Sequence, residues 1–441
     1  MSDTINDIQR KKAMKTLIFL AIILMICFQT EVFPQSCLPE GITFTTQAQV
    51  DSFPVNYPNC TEIEGFVFIG SYPGARRTET DIINLYGLNG ITSIGGDLTI
   101  QFNPLNDLVG LENLTSLGGE LFINGNGLTS VTGLNNLTDI GGGISILYSD
   151  GLIDFTGLES LISVGSYFQL YRNHNLVNFQ GLNNLEAVGG GCRISGNLSL
   201  VNFSCLESLS HIDGHVGVGG YYYYGGNNPS LISFQGLDGL IRVGGDFHIW
   251  ANGAIESLTG LNSLTTIGGN LVIESEGNLS TLAALGNLDS LGGDLSITYN
   301  NSLASLSWLG NVSYIGGDVS ICYNTSMVSL TGLEGINTLE GNVAIGDRGS
   351  GNTSLVNLEG LGNLSSIAGE LKICGNSSLI NLEGLHALSY IGGSLVIDDC
   401  ASLDNLTGME SLLFIGGDLS VGCTPYEPGK RKSLPHQFDR T

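Results

Sequence analysis

The sequence predicts a mainly β fold, a parallel β-solenoid of about fifteen coils of 23–24 residues, and three observations predict it. The first is a tripeptide that returns at fixed intervals. Ile94-Gly95-Gly96 recurs as Ile140-Gly141-Gly142, Val188-Gly189-Gly190, Ile267-Gly268-Gly269, Leu291-Gly292-Gly293, Ile315-Gly316-Gly317, Ile391-Gly392-Gly393 and Ile415-Gly416-Gly417. Looser copies stand at Leu117, Val164, Ile212, Val243, Leu339 and Ile367, so the steps from Ile94 are 23, 23, 24, 24, 24, 31, 24, 24, 24, 24, 28, 24 and 24. The second is an alternation just after each tripeptide. Val319 and Ile321 alternate with Ser320 and Cys322, the period of a short strand. The third is a run in threes: Met327, Leu330, Leu333, Ile336 and Leu339. Period three suits neither a strand nor an α-helix; it fits tight 3₁₀-like turns that carry the chain back to the next strand. Stacked at about 4.8 Å per coil, the array is roughly 70 Å long.

The elements follow in order. Met14-Lys15 precedes an apolar run from Leu17 to Phe28, about the length of a signal h-region and short for a membrane span. Residues 1–36 therefore read as an export signal, with Met14 as a candidate natural start and an uncleaved membrane anchor or a lipid attached at Cys27 as the alternatives. Residues 37–62 lack the coil pattern and read as an N-terminal cap, with a short helix over Gln47 to Phe53 and a disulfide between Cys37 and Cys60. Open solenoid ends need such covers. Residues 63–423 are the coils. Residues 424–441 read as a disordered basic tail.

Within the coils, Gly316-Gly317 is expected to supply backbone angles that side chains forbid just before the strand. Asn103, Asn126, Asn173, Asn197, Asn252, Asn300, Asn324 and Asn376 each stand nine residues after an anchor, with Cys400 in the same place. Leucine-rich repeats use Asn or Cys there to satisfy turn backbone groups. The acidic column Asp97, Glu120, Asp246, Asp294, Asp318, Glu370 and Asp418 reads as a turn residue opening each strand, against a shared Ca²⁺ site or a glycosidase pair. Cys374 with Cys400, or Cys400 with Cys423, lie in adjacent coils, and either pair is a candidate bridge. Cys192 points inward; Cys205 and Cys322 have no assigned partner.

The opening Asn59-Cys60-Thr61-Glu62-Ile63-Glu64-Gly65, with Cys37 upstream, and the L-x-I strands, Asn turns and G-L-x-x-L-x-x-I returns resemble the receptor L domain family over residues 37–423. The sequence looks most like long bacterial cell-surface members. That resemblance implies a right-handed solenoid and extracellular binding. No kinase, Cys-rich module or long transmembrane helix follows the array, so a signalling role does not carry over.

Composition narrows function. Fifteen Lys+Arg face 41 Asp+Glu, a net charge of −26. Between residues 78 and 429 only Arg172, Arg193, Arg242, Arg348 and Lys372 are cationic. Nucleic-acid binding needs a basic stripe, and none exists. Polyanionic sugars and anionic membrane surfaces are repelled, leaving the N-terminal apolar segment as the one membrane link. No nucleophile elbow or phosphate loop appears, and nothing calls for a metal or cofactor. The chain reads as non-catalytic.

Two coils are lengthened, and solenoid insertions emerge on one face where recognition often sits. One carries Gly219-Gly220-Tyr221-Tyr222-Tyr223-Tyr224-Gly225-Gly226; the other lies around Asp347-Arg348-Gly349-Ser350. By register, Tyr171, Arg193, His248 and Trp250 point outward from neighbouring strands. With Tyr221, Tyr222, Tyr223 and Tyr224 they form the candidate ligand site, since Tyr, Trp and Arg dominate binding hot spots and aromatic faces stack on sugars. The expected function is secreted or cell-surface binding of a protein or glycan. A structural spacer without a discrete site is the first alternative, and a carbohydrate-active enzyme the second.

Overall fold

The computed structural model describes Met14 and residues 35–71, 80–220, 226–307, 309–349 and 351–422. It is a parallel β-solenoid. One sheet runs its whole length with sixteen strands, nearly all of four residues. Beside it run two-residue strands in sheets of twelve and four, formed by the anchor residues and their predecessors. Every strand pair is parallel and one coil apart, as Val319–Cys322 shows against Leu295–Thr298.

The alternation after the anchor decides which side chains go inside. In Phe168–Tyr171 and Phe247–Trp250 the first and third residues are buried and the second and fourth half-buried on the outer face. The residues at period three behave as expected. Leu111 N donates to Leu108 O at 3.1 Å and Leu114 N to Leu111 O at 3.0 Å, so each leucine closes a three-residue turn and points inward. All these residues join one continuous apolar core. Within it Phe155, Phe179, Phe203 and Phe234 stack on successive coils, with ring centroids 5.2–5.7 Å apart.

The glycine doublets work differently from the expectation. None has a φ in the left-handed region. Their constraint is close stacking: a β-carbon on Gly118 would lie 2.2 Å from Gly95 O, and one on Gly292 would lie 2.1 Å from Gly268 O. The left-handed turn belongs instead to the glycine of the G-L return, such as Gly133 at φ +114°. Cys205 fills that place in its coil at φ +79°.

The Asn column is a hydrogen-bonded ladder over most of its length. Asn324 Oδ1 accepts from Asn300 N at 3.0 Å, and Asn324 Nδ2 donates to Ile297 O at 2.8 Å. Asn352 accepts from Asn324 N in turn, and Asn376 from Asn352 N. Insertions shift Asn228 and Asn352 out of sequence register, yet both join the ladder. Ser149 and Glu276 also occupy rungs.

At the N-terminal end Cys37 and Cys60 form the expected disulfide, Cα atoms 5.6 Å apart. The helix spans Gln47–Asn56 and buries Val50 and Phe53, Phe53 meeting Phe44 edge-on at 5.8 Å. Thr46 N donates to Gln49 Oε1 at 3.1 Å, which closes the helix start. The segment is also a rung, contrary to the expectation. Ser36–Cys37 pairs with Glu62–Ile63, and Ile42–Phe44 with Val67–Ile69. A helix replaces the leucine return there, so the period of three that marks the other coils is missing. Among the described residues no helix is long and apolar enough to cross a membrane.

Cys374 does not bridge to Cys400. Cys374 is the last residue of the strand Leu371–Cys374, whereas the Cys400 sulfur sits in the Asn column 3.7 Å from Ile373 O. Burial pushes the Cys374 and Cys192 thiols up to about 12. Cys423, Tyr221–Tyr224, the apolar run of the signal and the tail lie outside the described residues.

Candidate functional site

The outer face of the long sheet is where the candidate residues meet. Register places Arg193, Gly217 and His248 in one row across three adjacent strands. Among the described residues, nothing lies within 4 Å of where a Gly217 side chain would begin. Gly217 therefore floors a shallow trough with Arg193 on one side and His248 on the other. The Trp250 ring lies 4.5 Å from the His248 ring and extends that wall.

His248 is held in a small polar cluster. His215 Nδ1 lies 3.0 Å from Asp246 Oδ2, and His248 Nε2 lies 4.0 Å from the same oxygen. Burial outweighs the Asp246 charge and lowers the His248 pKa below its ordinary value, so the ring is held neutral. Its Nε2 is buried and finds no hydrogen-bond partner among the described residues. The pair His211 and His215, four residues apart in sequence, separates: His211 Nδ1 meets Ser210 Oγ at 2.9 Å instead.

Tyr171 belongs to a second cluster, three strands from Trp250. Its ring meets Tyr148 edge-on at 5.4 Å, and the Arg172 guanidinium lies 5.2 Å from the Tyr171 ring centre and 5.9 Å from that of Tyr148. The described part of the candidate site is thus two aromatic clusters along one edge of the sheet.

Reading along that edge reveals residues the sequence reading passed over. In most coils the residue just after the long strand, and just before the Asn column, takes a left-handed conformation. Glycine fills it at Gly125, Gly196 and Gly375, but Phe102, Tyr148, Arg172, Tyr299 and Tyr323 take it too, with φ between +51° and +61°. A bulky residue there costs about 1–2 kcal/mol. Tyr299 and Tyr323 stack face to face, centroids 4.2 Å apart. Strain kept in exposed aromatic side chains is a pointer toward function.

The other features are structural. Asp294 Oδ1 accepts from Asp318 N and Asp318 Oδ1 from Asn342 N, each at 2.7 Å, so the acidic column caps the turn of the next coil. Among the described residues no three His, Cys, Asp or Glu side chains converge on a metal-sized site. The Asp347–Arg348 insertion is pinned to the following coils: Lys372 Nζ meets Asp347 Oδ1 at 2.5 Å, and Arg348 Nη2 meets Asp398 Oδ2 at 2.7 Å. An open groove of about 480 Å³ on the return side is lined by Glu334, Glu359, Glu383, Glu410 and His386. Two of its carboxylates are tied to the Gly332 and Gly408 amides.

No protein-family model and no curated protein matches the chain. Among solved structures it is similar to a leucine-rich repeat protein from Bacteroides ovatus ATCC 8483, at 13% identity, with 82% of this chain and 84% of that chain covered and a TM-score of 0.26. It is also similar to TLR13 in its complex with ssRNA13, at 14% identity, 89% and 85% coverage and a TM-score of 0.20.

Proposed function

We propose that this chain is an exported, non-catalytic binding protein of the receptor L domain type, which presents the outer face of its long sheet to an extracellular glycan or protein. The observation that carries the reading is the row Arg193–Gly217–His248 with Trp250 beside it: aromatic, cationic and imidazole groups around a glycine floor. They stand beside the longer insertion, where the coil period breaks. Export is supported by the Cys37–Cys60 disulfide, which requires an oxidising compartment. The scarcity of cations and the uses already found for the acidic column favour binding over catalysis.

The test is an array of glycans and secreted proteins probed with the full chain and with the double variant His248→Ala/Trp250→Ala. The expected result is a ligand retained by the parent and lost by the variant at unchanged thermal stability. A chain that retains nothing, or whose ligand is held equally by the variant, is not a binder of this kind. N-terminal sequencing of the exported product checks export, with a start near residue 37 expected.

A further inference from the structure

The aromatic edge is long, and its rings sit on strands that repeat at a regular step. Tyr148 and Tyr171 stand at one end, Trp250 in the middle, and Tyr299 and Tyr323 at the other end. The strands bearing them, from Ile144–Leu147 to Val319–Cys322, are separated by seven steps, roughly 34 Å at about 4.8 Å a step. We propose that this edge binds a neutral, extended polysaccharide, laid parallel to the solenoid axis with its sugar rings on Tyr148, Tyr171, Trp250, Tyr299 and Tyr323. The inference rests on the binding reading above and names its ligand class.

Three observations carry it. First, the left-handed conformation at Tyr148, Tyr299 and Tyr323 is one that glycine meets at no strain in the equivalent turns at Gly125, Gly196 and Gly375. Rings are therefore present where folding alone calls for none, and Tyr148 and Tyr299 are exposed. Second, the groups between the rings are polar and suited to hydroxyls. Glu274 pairs in register with Trp250 and continues to Thr298, and Ser275 follows it. His248 Nε2, buried and without a hydrogen-bond partner among the described residues, lies beside Trp250. Third, charge selects against polyanions: the chain carries a net −26, and Glu274 stands on the same edge beside Trp250. A neutral chain of pyranose rings offers apolar faces for stacking and hydroxyls for the carboxylate and imidazole, at no electrostatic cost.

The experiment uses the full chain in affinity gel electrophoresis against hydroxyethyl cellulose, mixed-linkage β-glucan, xylan and, as the polyanion, polygalacturonate. Calorimetry with an oligosaccharide series of whichever neutral polymer binds then follows. Expected are retardation by a neutral polymer, none by polygalacturonate, and an affinity that rises at least tenfold from the disaccharide to the longest oligomer. Tyr299→Gly/Tyr323→Gly removes both rings while suiting the backbone, so it is expected to keep or raise the melting temperature while weakening the longest oligomer about tenfold. Equal affinity for short and long oligomers, preference for polygalacturonate, or unchanged binding by the glycine variant overturns the inference. Retention of a secreted protein on the array with no retardation by any neutral polymer also overturns it, while leaving the broader binding reading intact. Retention of nothing overturns both.

Discussion

Among the described residues Glu276 is the one acid in the buried Asn ladder, and its chemistry makes a quantitative prediction. Its Oε1 accepts from Asn252 N and Nδ2, at 2.9 and 3.1 Å, and its own N donates to Asn300 Oδ1 at 3.0 Å. In the neighbouring rungs the second amide atom donates to a strand carbonyl: Asn252 Nδ2 to Val218 O, and Asn300 Nδ2 to Ile273 O. The register partner between those two carbonyls is Ile249 O, and Glu276 Oε2 is buried with nothing bonded to it. A protonated Oε2 can donate there; an ionised one cannot. Burial accordingly raises the Glu276 pKa from 4.5 to about 7. At about 1.4 kcal/mol per pH decade, that corresponds to roughly 3 kcal/mol. The folded state binds the proton more tightly, so the stabilisation is fully present below pH 4.5. It is lost as pH rises to about 7, and the curve is flat above. Glu276→Gln supplies a permanent donor in the same place. The expected result is a parent chain that loses stability across that window relative to Glu276→Gln, and a variant more stable at pH 8 by up to about 3 kcal/mol. Denaturant unfolding of both chains at half-unit intervals from pH 4 to 9 reads the difference directly, since every other carboxylate is common to both. A difference that does not change between pH 4.5 and 7, or a variant less stable than the parent at pH 8, refutes the reasoning.

Other substitutions test the packing. Cys192 sits between Phe168 and Val216 in its sheet and lines an apolar void of about 20 Å³; Cys192→Leu is expected to stabilise the fold by about 0.5–1 kcal/mol in denaturant unfolding, and a loss of stability shows the site has no room. Cys205→Gly relieves a left-handed cysteine and is expected to stabilise by about 1 kcal/mol in the same assay. Asn173→Ala strips a partner from Ser149 N and from Ile146 O, at 3.0 and 2.8 Å in the parent, and is expected to cost about 2–4 kcal/mol. Gly292→Ala drives a methyl to 2.1 Å from Gly268 O and is expected to destabilise more than Gly286→Ala, made at the C-terminal end of a short 3₁₀ turn outside the doublet column; equal melting temperatures contradict the stacking account.

The fold was legible because the core of a stacked coil is periodic by necessity: Leu330, Leu333 and Ile336 must point inward at every turn, and the spacing of residues records it. The N-terminal rung was hidden because a helix closes it, so Ile42 and Phe44 offer only half a strand's alternation and no leucine run follows. The reason for the glycine doublets was hidden for a different cause. Composition shows that a side chain is absent, but whether the backbone angle or a neighbouring carbonyl forbids it depends on a coil 24 residues away. Gly292 and Gly268 O meet only when the stack is built. Glu276 escaped attention because it breaks the Asn column chemically while satisfying it geometrically.

The site was less legible, although part of the missed signal stands in the sequence. Asn marks the turn in most coils, so the residue before it can be compared down the array. Gly125-Asn126, Gly196-Asn197 and Gly375-Asn376 say that this place accepts the left-handed region, where glycine is at ease. Tyr299-Asn300 and Tyr323-Asn324 then read as rings held in a conformation their β-carbons oppose. What the sequence cannot supply is that the stacking brings those rings within 4.2 Å of each other and sets them on the same sheet edge as Trp250. The longer insertion points to one of the two coils where the period breaks. The strained aromatics lie where it holds, and a ligand that reads a periodic surface is itself expected to be periodic.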